Sequence, residues 1–214
     1  MVKRSICNPD FFEIIDEETN KIYYGCMQTW YKKFWRRLSG CGPTVATNII
    51  LYLNHNKYYV ETEKSFNKKK DCASLMDEVW NYVTPTSRGV NTTKIFYEGV
   101  CSYAEAKEIN LEYEILDFPK EKLQRPSVLE VLEFIEKALL NDSPVAFLNL
   151  NNGKEKNLDE WHWVTIISLE YEEDQSVVYA EILDEGIIKR IDLLLWYNTT
   201  TLGGGFVYFP LSIK

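Results

Sequence analysis

Cys41 stands in the segment Ser39-Gly-Cys-Gly-Pro-Thr-Val-Ala-Thr-Asn-Ile-Ile-Leu-Tyr-Leu53, where a turn of small residues runs straight into an apolar helix. A thiol at a helix N-terminus is stabilised as thiolate by unpaired backbone N–H groups and by the positive end of the helix dipole. Downstream, Trp161-His-Trp-Val-Thr-Ile-Ile-Ser-Leu169 places a histidine at the start of an apolar strand. An imidazole beside such a thiol stabilises the thiolate further and shuttles its proton, which is the chemistry of a cysteine nucleophile. The chain has only two histidines. His55 follows Cys41 on what reads as the same helix, about 21 Å away at 1.5 Å per residue. It reads as a solvated residue at the helix end. If Cys41 has a base, that base is His162.

A third group is expected to orient the imidazole. The turn signal Glu172-Glu-Asp-Gln175 lies between the histidine strand and a strand ending near Asp184. Folding the two as a hairpin pairs positions whose numbers sum to about 347, with directly opposed Cβ atoms about 5 Å apart. His162 then falls opposite position 185, and both Asp184 and Glu185 lie within one residue of that point. They face opposite ways, and the register alone leaves both open. Asp192 is a distant third candidate.

The elements that hold these residues divide in two. In the first part, Trp30–Leu38 has the spacing of an amphipathic helix, with Trp30, Tyr31, Phe34, Trp35 and Leu38 on one face and Lys32, Lys33, Arg36 and Arg37 on the other. It is expected to pack by its aromatic face, or to wall a substrate cleft where its cations would favour acidic substrates. The helix after Cys41 is apolar almost all round, as in a helix buried within a domain, and Pro43 suits its first turn. Helices are expected at about 71–83, 92–109 and 128–140, the last opened by the capping box Ser127 and Glu130. A Lys-rich loop spans 56–70, and 111–116 is strand-like. After Ser143-Pro144 the segments 145–150, 161–171, 176–183, 187–195 (partly helical) and 206–210 read as strands. Residues 1–27 read as an irregular arm with short extended pieces. Helices first and strands later is an α+β pattern.

Composition narrows the function. At 214 residues, with 45% hydrophobic and 14% aromatic residues, the chain suffices for one domain with a full core. A net charge of −8 disfavours nucleic acid as a partner, because phosphate contacts need a basic face. No apolar run approaches the roughly 20 residues of a membrane span. The five cysteines, Cys7, Cys26, Cys41, Cys72 and Cys101, match neither a disulfide framework nor a zinc site. All but Cys41 read as structural thiols. Gly203-Gly-Gly205 lacks the context of a phosphate loop and reads as a turn or bulge.

Three short motifs, Gly-Cys-Gly-Pro-Thr at 40–44, His-Trp-Val at 162–164 and Leu-Asp-Glu-Gly at 183–186, occur in the order Cys, His, acid. In this the chain resembles the papain-like cysteine peptidase superfamily, most closely the C39-like peptidases of bacteria, over roughly residues 22–210. The resemblance implies a single α+β domain over 1–214. Its helical lobe (about 28–142), led by the Cys41 helix, would pack on an antiparallel sheet lobe (about 143–214). It also implies Asp184 as the third residue, and Gln28 as a side-chain donor to the oxyanion together with the Cys41 backbone N–H. Gln28 lies 13 residues before Cys41, a longer gap than the family's usual one. Trp30, Gly40 and Trp161 would touch the substrate, a peptide or protein, and no metal or organic cofactor is implied. The activity implied is hydrolysis of a peptide or related amide bond. Transglutaminase-like acyl transfer and silent peptide binding are the alternatives on the same fold. The sequence lacks the transporter segment and the export signal that many such peptidases carry, so a cytoplasmic location is expected.

Overall fold

A computed structural model describes residues 1–55 and 67–210. Most of the loop expected at 56–70 lies outside the described residues. The strands are β1 (Val2–Ser5), β2 (Glu13–Ile15), β3 (Ile22–Tyr24), β4 (Glu114–Phe118), β5 (Val145–Asn149), β6 (His162–Tyr171), β7 (Val178–Asp184), β8 (Ile187–Asp192) and β9 (Gly204–Tyr208). The helices are α1 (Phe34–Ser39), α2 (Cys41–His55), α3 (Lys69–Val79), α4 (Thr93–Ala106), α5 (Val128–Leu140) and α6 (Leu193–Thr199).

Seven strands form one antiparallel sheet in the order β4-β9-β5-β6-β7-β8, with β1 also on β6. β5 pairs with the first half of β6 and β1 with the second half, so the N-terminal arm is partly a sheet strand. Alternation along the strands divides the core. Val145 and Phe147 of β5 join a cluster with α5 and α6, while Ala146 and Leu148 join one with α2, α3 and α4. Helices therefore cover both faces of the sheet. The helical-lobe boundary near 143 is one of sequence and not of space, because β4 belongs to the sheet and α5 packs on the face away from α2.

The signals at α5 and α2 became structure as expected. Ser127 accepts from the Glu130 N–H, and Glu130 reaches back to the Ser127 N–H at 2.7 Å, closing the capping box. Residues Gly42–Leu53 of α2 are all buried. The stretch 30–38 departs from expectation. Residues 31–33 break the helix, Tyr31 is buried, and Phe34, Trp35 and Leu38 stand 54–67% exposed. A six-residue helix has too few turns to present a continuous stripe to the core, so its aromatic face lies at the surface. Nor is His55 the solvated residue expected. Its ring stacks on Phe11 at 4.8 Å, and burial pushes its pKa down.

Candidate active site

Cys41 is the first residue of α2, and the helix ladder starts just before it, with the Thr44 N–H donating to the Gly40 carbonyl at 2.9 Å. The Cys41 N–H is therefore among the helix's free N-terminal donors. Gly40 joins α1 to α2 at close quarters: a side chain there would strike the Tyr31 ring at 2.7 Å. Inside α2, the buried Asn48 ties the Cys41 helix to its surroundings. Its Oδ1 accepts from the Cys26 N–H at 2.8 Å and its Nδ2 donates to Thr165 Oγ1 on β6 at 3.2 Å.

The imidazole arrives on the neighbouring strand. His162 opens β6, and its Nε2 lies 2.8 Å from Asp184 Oδ1. A carboxylate only accepts, so Nε2 carries the hydrogen and Nδ1 is left free to face the Cys41 sulfur, which lines the same cleft and favours the charged ring. Burial by itself would lower the pKa of this ring. The Asp184 hydrogen bond and the Cys41 sulfur outweigh it and raise the value from 6.5 to about 10. Asp184 is buried, which favours its neutral form, but His162 and Lys189 hold its carboxyl below the usual value.

A β-bulge decides which acid meets the histidine. Near the hairpin turn the paired numbers of β6 and β7 sum to 349 (Tyr171 with Val178), but beyond Ile167 they sum to 348 (Thr165 with Leu183). One extra residue on β6 thus reverses which side chains share a face. Continued to the end of β6, the shifted register sets Asp184, the last residue of β7, diagonal to His162 on one face, and Asp184 rather than Glu185 bonds the ring. The chain then reverses through Glu185 and Gly186, both with positive φ as a two-residue hairpin turn requires. A side chain at 186 would meet Met27 and Tyr23 within 2.8 Å, so the turn packs directly against the approach to Gln28.

Sequence reasoning missed Lys189. On β8 it is diagonal to Asp184, and its Nζ lies 2.7 Å from Asp184 Oδ2 and 3.2 Å from Glu185 Oε2. Asp184 therefore holds His162 with one oxygen and an ammonium with the other. The Glu185-Gly186 turn was the available signal, since a two-residue loop after Asp184 fixes Lys189 at the diagonal position. The carboxylate of Asp159 was missed as well. Its ligand-type atom and those of His162 and Asp184 lie within 4.8 Å of one another. A metal ion there would have to break the His162–Asp184 bond and sit beside the Lys189 ammonium, so the cluster reads as a His162–Asp184 pair with the Asp159 carboxylate beside it.

Among the described residues, two clefts meet at Cys41. The first, of about 140 Å³, is lined by Gln28, Asn48, Asp159, His162 and Asp184, among others. The second, of about 210 Å³, runs between α1 and the loop Ser87–Asn91, with Trp161 on its wall. Gln28 reaches the first cleft while its Nε2 donates to the Arg37 carbonyl at 2.7 Å. One of its two amide hydrogens remains for another acceptor. The α1 segment that lengthens the gap between Gln28 and Cys41 is thus what anchors the Gln28 amide. Of the three residues expected to touch substrate, Trp161 lines a cleft, whereas Trp30 packs edge-on against Tyr23 and neither it nor Gly40 lines one of these two clefts. Trp161 is 52% exposed with φ +54°, a backbone state that costs a bulky residue about 1 kcal/mol or more.

No family model and no curated protein matches the sequence. In structure, the whole chain is similar to UfSP from C. elegans, a cysteine protease of papain-like fold, with a TM-score of 0.56 and 13% sequence identity. The fold is papain-like. The chain covers 35% of the length of that protein. The arrangement expected from the three motifs, helices with an antiparallel sheet in an α+β domain, is the one observed. No described helix is long and apolar enough to cross a membrane.

Proposed function

We propose that the protein is a thiol hydrolase that cleaves a peptide or related amide bond in a peptide or protein substrate. The observation that carries this reading is the half-buried His162 imidazole, bonded through Nε2 to Asp184 and sharing a cleft with the Cys41 sulfur at the start of a helix. The sulfur attacks the substrate carbonyl as thiolate, with the imidazolium beside it. His162 gives its proton to the leaving amine, then removes one from the water that releases the acyl group. Asp184 keeps the ring in the tautomer that turns Nδ1 to the sulfur. The Cys41 N–H and the remaining Gln28 N–H hold the oxyanion, a side-chain donor of this kind being worth about 3–4 kcal/mol in the transition state. The Gly-Cys-Gly-Pro-Thr and His-Trp-Val motifs support a C39-like branch of the fold.

Iodoacetamide labelling against pH tests the pair. Cys41 is expected to alkylate much faster than the exposed Cys7 at about pH 6, well under the ordinary thiol pKa of about 8.5. His162→Ala is expected to abolish the difference. Equal rates for the two thiols in the native protein overturn the reading. Product analysis with and without an amine acceptor separates hydrolysis from acyl transfer.

A further inference from the structure

The two clefts at Cys41 differ in chemistry, and the mechanism orients a substrate across them. The general acid protonates the leaving nitrogen, so the leaving half of the substrate lies beside the imidazole. His162 lines the first cleft and not the second, whereas Cys41 lines both. Resting on the hydrolase reading above, we infer that the first cleft takes a cationic side chain on the leaving side and the second a bulky apolar side chain on the acyl side.

On the leaving side the selecting group is Asp159. Its carboxylate is exposed at the cleft beside His162, and among the described residues no cation is paired with it. The other rim acid, Glu185, is already spent on Lys189. Asp159 is also held in place, because the buried Asn149 donates to its carbonyl at 2.6 Å while accepting from Trp196 Nε1 at 2.8 Å. His162, within 4.8 Å, is bonded to Asp184, so an ammonium or guanidinium on the substrate would pair with Asp159 directly. A carboxylate there would face Asp159 and Glu185 together.

On the acyl side the walls are Trp35, Leu38 and Trp161 above a floor of Val90 and Leu148. The three wall residues are more than half exposed, on a protein whose other large aromatics are mostly buried. Trp161 holds its place in a strained backbone state one residue before His162. The floor is fixed by Trp163, whose Nε1 donates to the Val90 carbonyl at 2.5 Å. The cations of α1 do not set this preference: Arg36 pairs with Asp77 and lies over the Trp80 ring, and the α1 residues that line the cleft are Trp35, Leu38 and Ser39. Exposed Arg88 stands at the rim.

Four quenched-fluorescent peptides test this, carrying Leu or Asp in the acyl segment and Lys or Glu in the leaving segment. The full chain is expected to favour Leu and Lys, each by about tenfold or more in kcat/KM. Asp159→Asn is expected to bring the Lys over Glu ratio near unity and spare the Leu over Asp ratio. Trp161→Ala, or Leu38→Asp at a more exposed wall position, is expected to do the reverse. In a second arm, Cys41→Ala binds the same uncleaved peptides by fluorescence anisotropy and is expected to rank them in the same order. Selective binding without cleavage by the native chain would remove the hydrolase reading and uphold the cleft assignment. Cleavage without either preference, or a Lys preference unmoved by Asp159→Asn, overturns the inference.

Discussion

Asp184→Asn keeps the shape of the side chain and an oxygen that can accept from His162 Nε2, but removes the charge. In the native protein His162 is raised from 6.5 to about 10 against the opposing effect of burial. At about 1.36 kcal/mol per pH unit, that is a preference of about 5 kcal/mol for the imidazolium. Asp184 and the Cys41 sulfur share it. Loss of the carboxylate charge leaves the sulfur alone against burial, and about 2–3 kcal/mol is expected to go, the range for a hydrogen bond to a charged group. His162 should then lose its proton about two pH units lower, and kcat/KM should fall about a hundredfold. Histidine-labelled NMR reads this directly, because the chain has only two imidazoles. The native spectrum should show one ring titrating near 10 and the other, His55, below 6.5. In Asp184→Asn only the first should move. Glu185→Gln is the control and should leave His162 within about half a pH unit of native, since that acid bonds Lys189 and not the imidazole. A native His162 titrating below about 7, or one indifferent to Asp184→Asn, would refute the reasoning.

Lys189→Met should weaken the acid side of the stability profile. Asp184's folded pKa lies below 3.8, so its contribution is present above pH 3.8 and lost as pH falls through the folded value. Without the ammonium that folded value rises, so thermal unfolding scans below about pH 5 should show the loss beginning at higher pH, with Lys189→Arg close to native. Moving the acid by one residue, with Asp184→Ala and Glu185→Asp together, should leave kcat/KM at least about tenfold below native, because residue 185 sits in the turn beyond β7 and makes no bond to His162. Recovery to native rates would sink the bulge argument. Asn48→Ala should cost about 2 kcal/mol in urea unfolding, since the buried Cys26 N–H loses its acceptor. A cost under about 0.5 kcal/mol would mean another group takes over that bond.

Much of this protein is local information and can be read from the chain. The small-residue turn into an apolar helix places Cys41 at a helix start, the capping box sets the start of α5, and having two histidines singles out His162 as the candidate base. The choice between Asp184 and Glu185 is of another kind. Side chains alternate faces along a strand, so the partner of His162 depends on whether the intervening residues pair one to one, and a single unpaired residue reverses the answer. Ile167 is that residue. It is buried like both its neighbours and of the same type as Ile166, so nothing in its type marks it. The exposed aromatic face of α1 was hidden for a related reason, since periodicity shows which residues share a face but not which way it points. Composition and spacing selected the candidate groups, Cys41 and His162. The bulge, the Lys189 ion pair and the orientation of α1 were decided by contacts between segments distant in sequence, and these exist only once the sheet is paired.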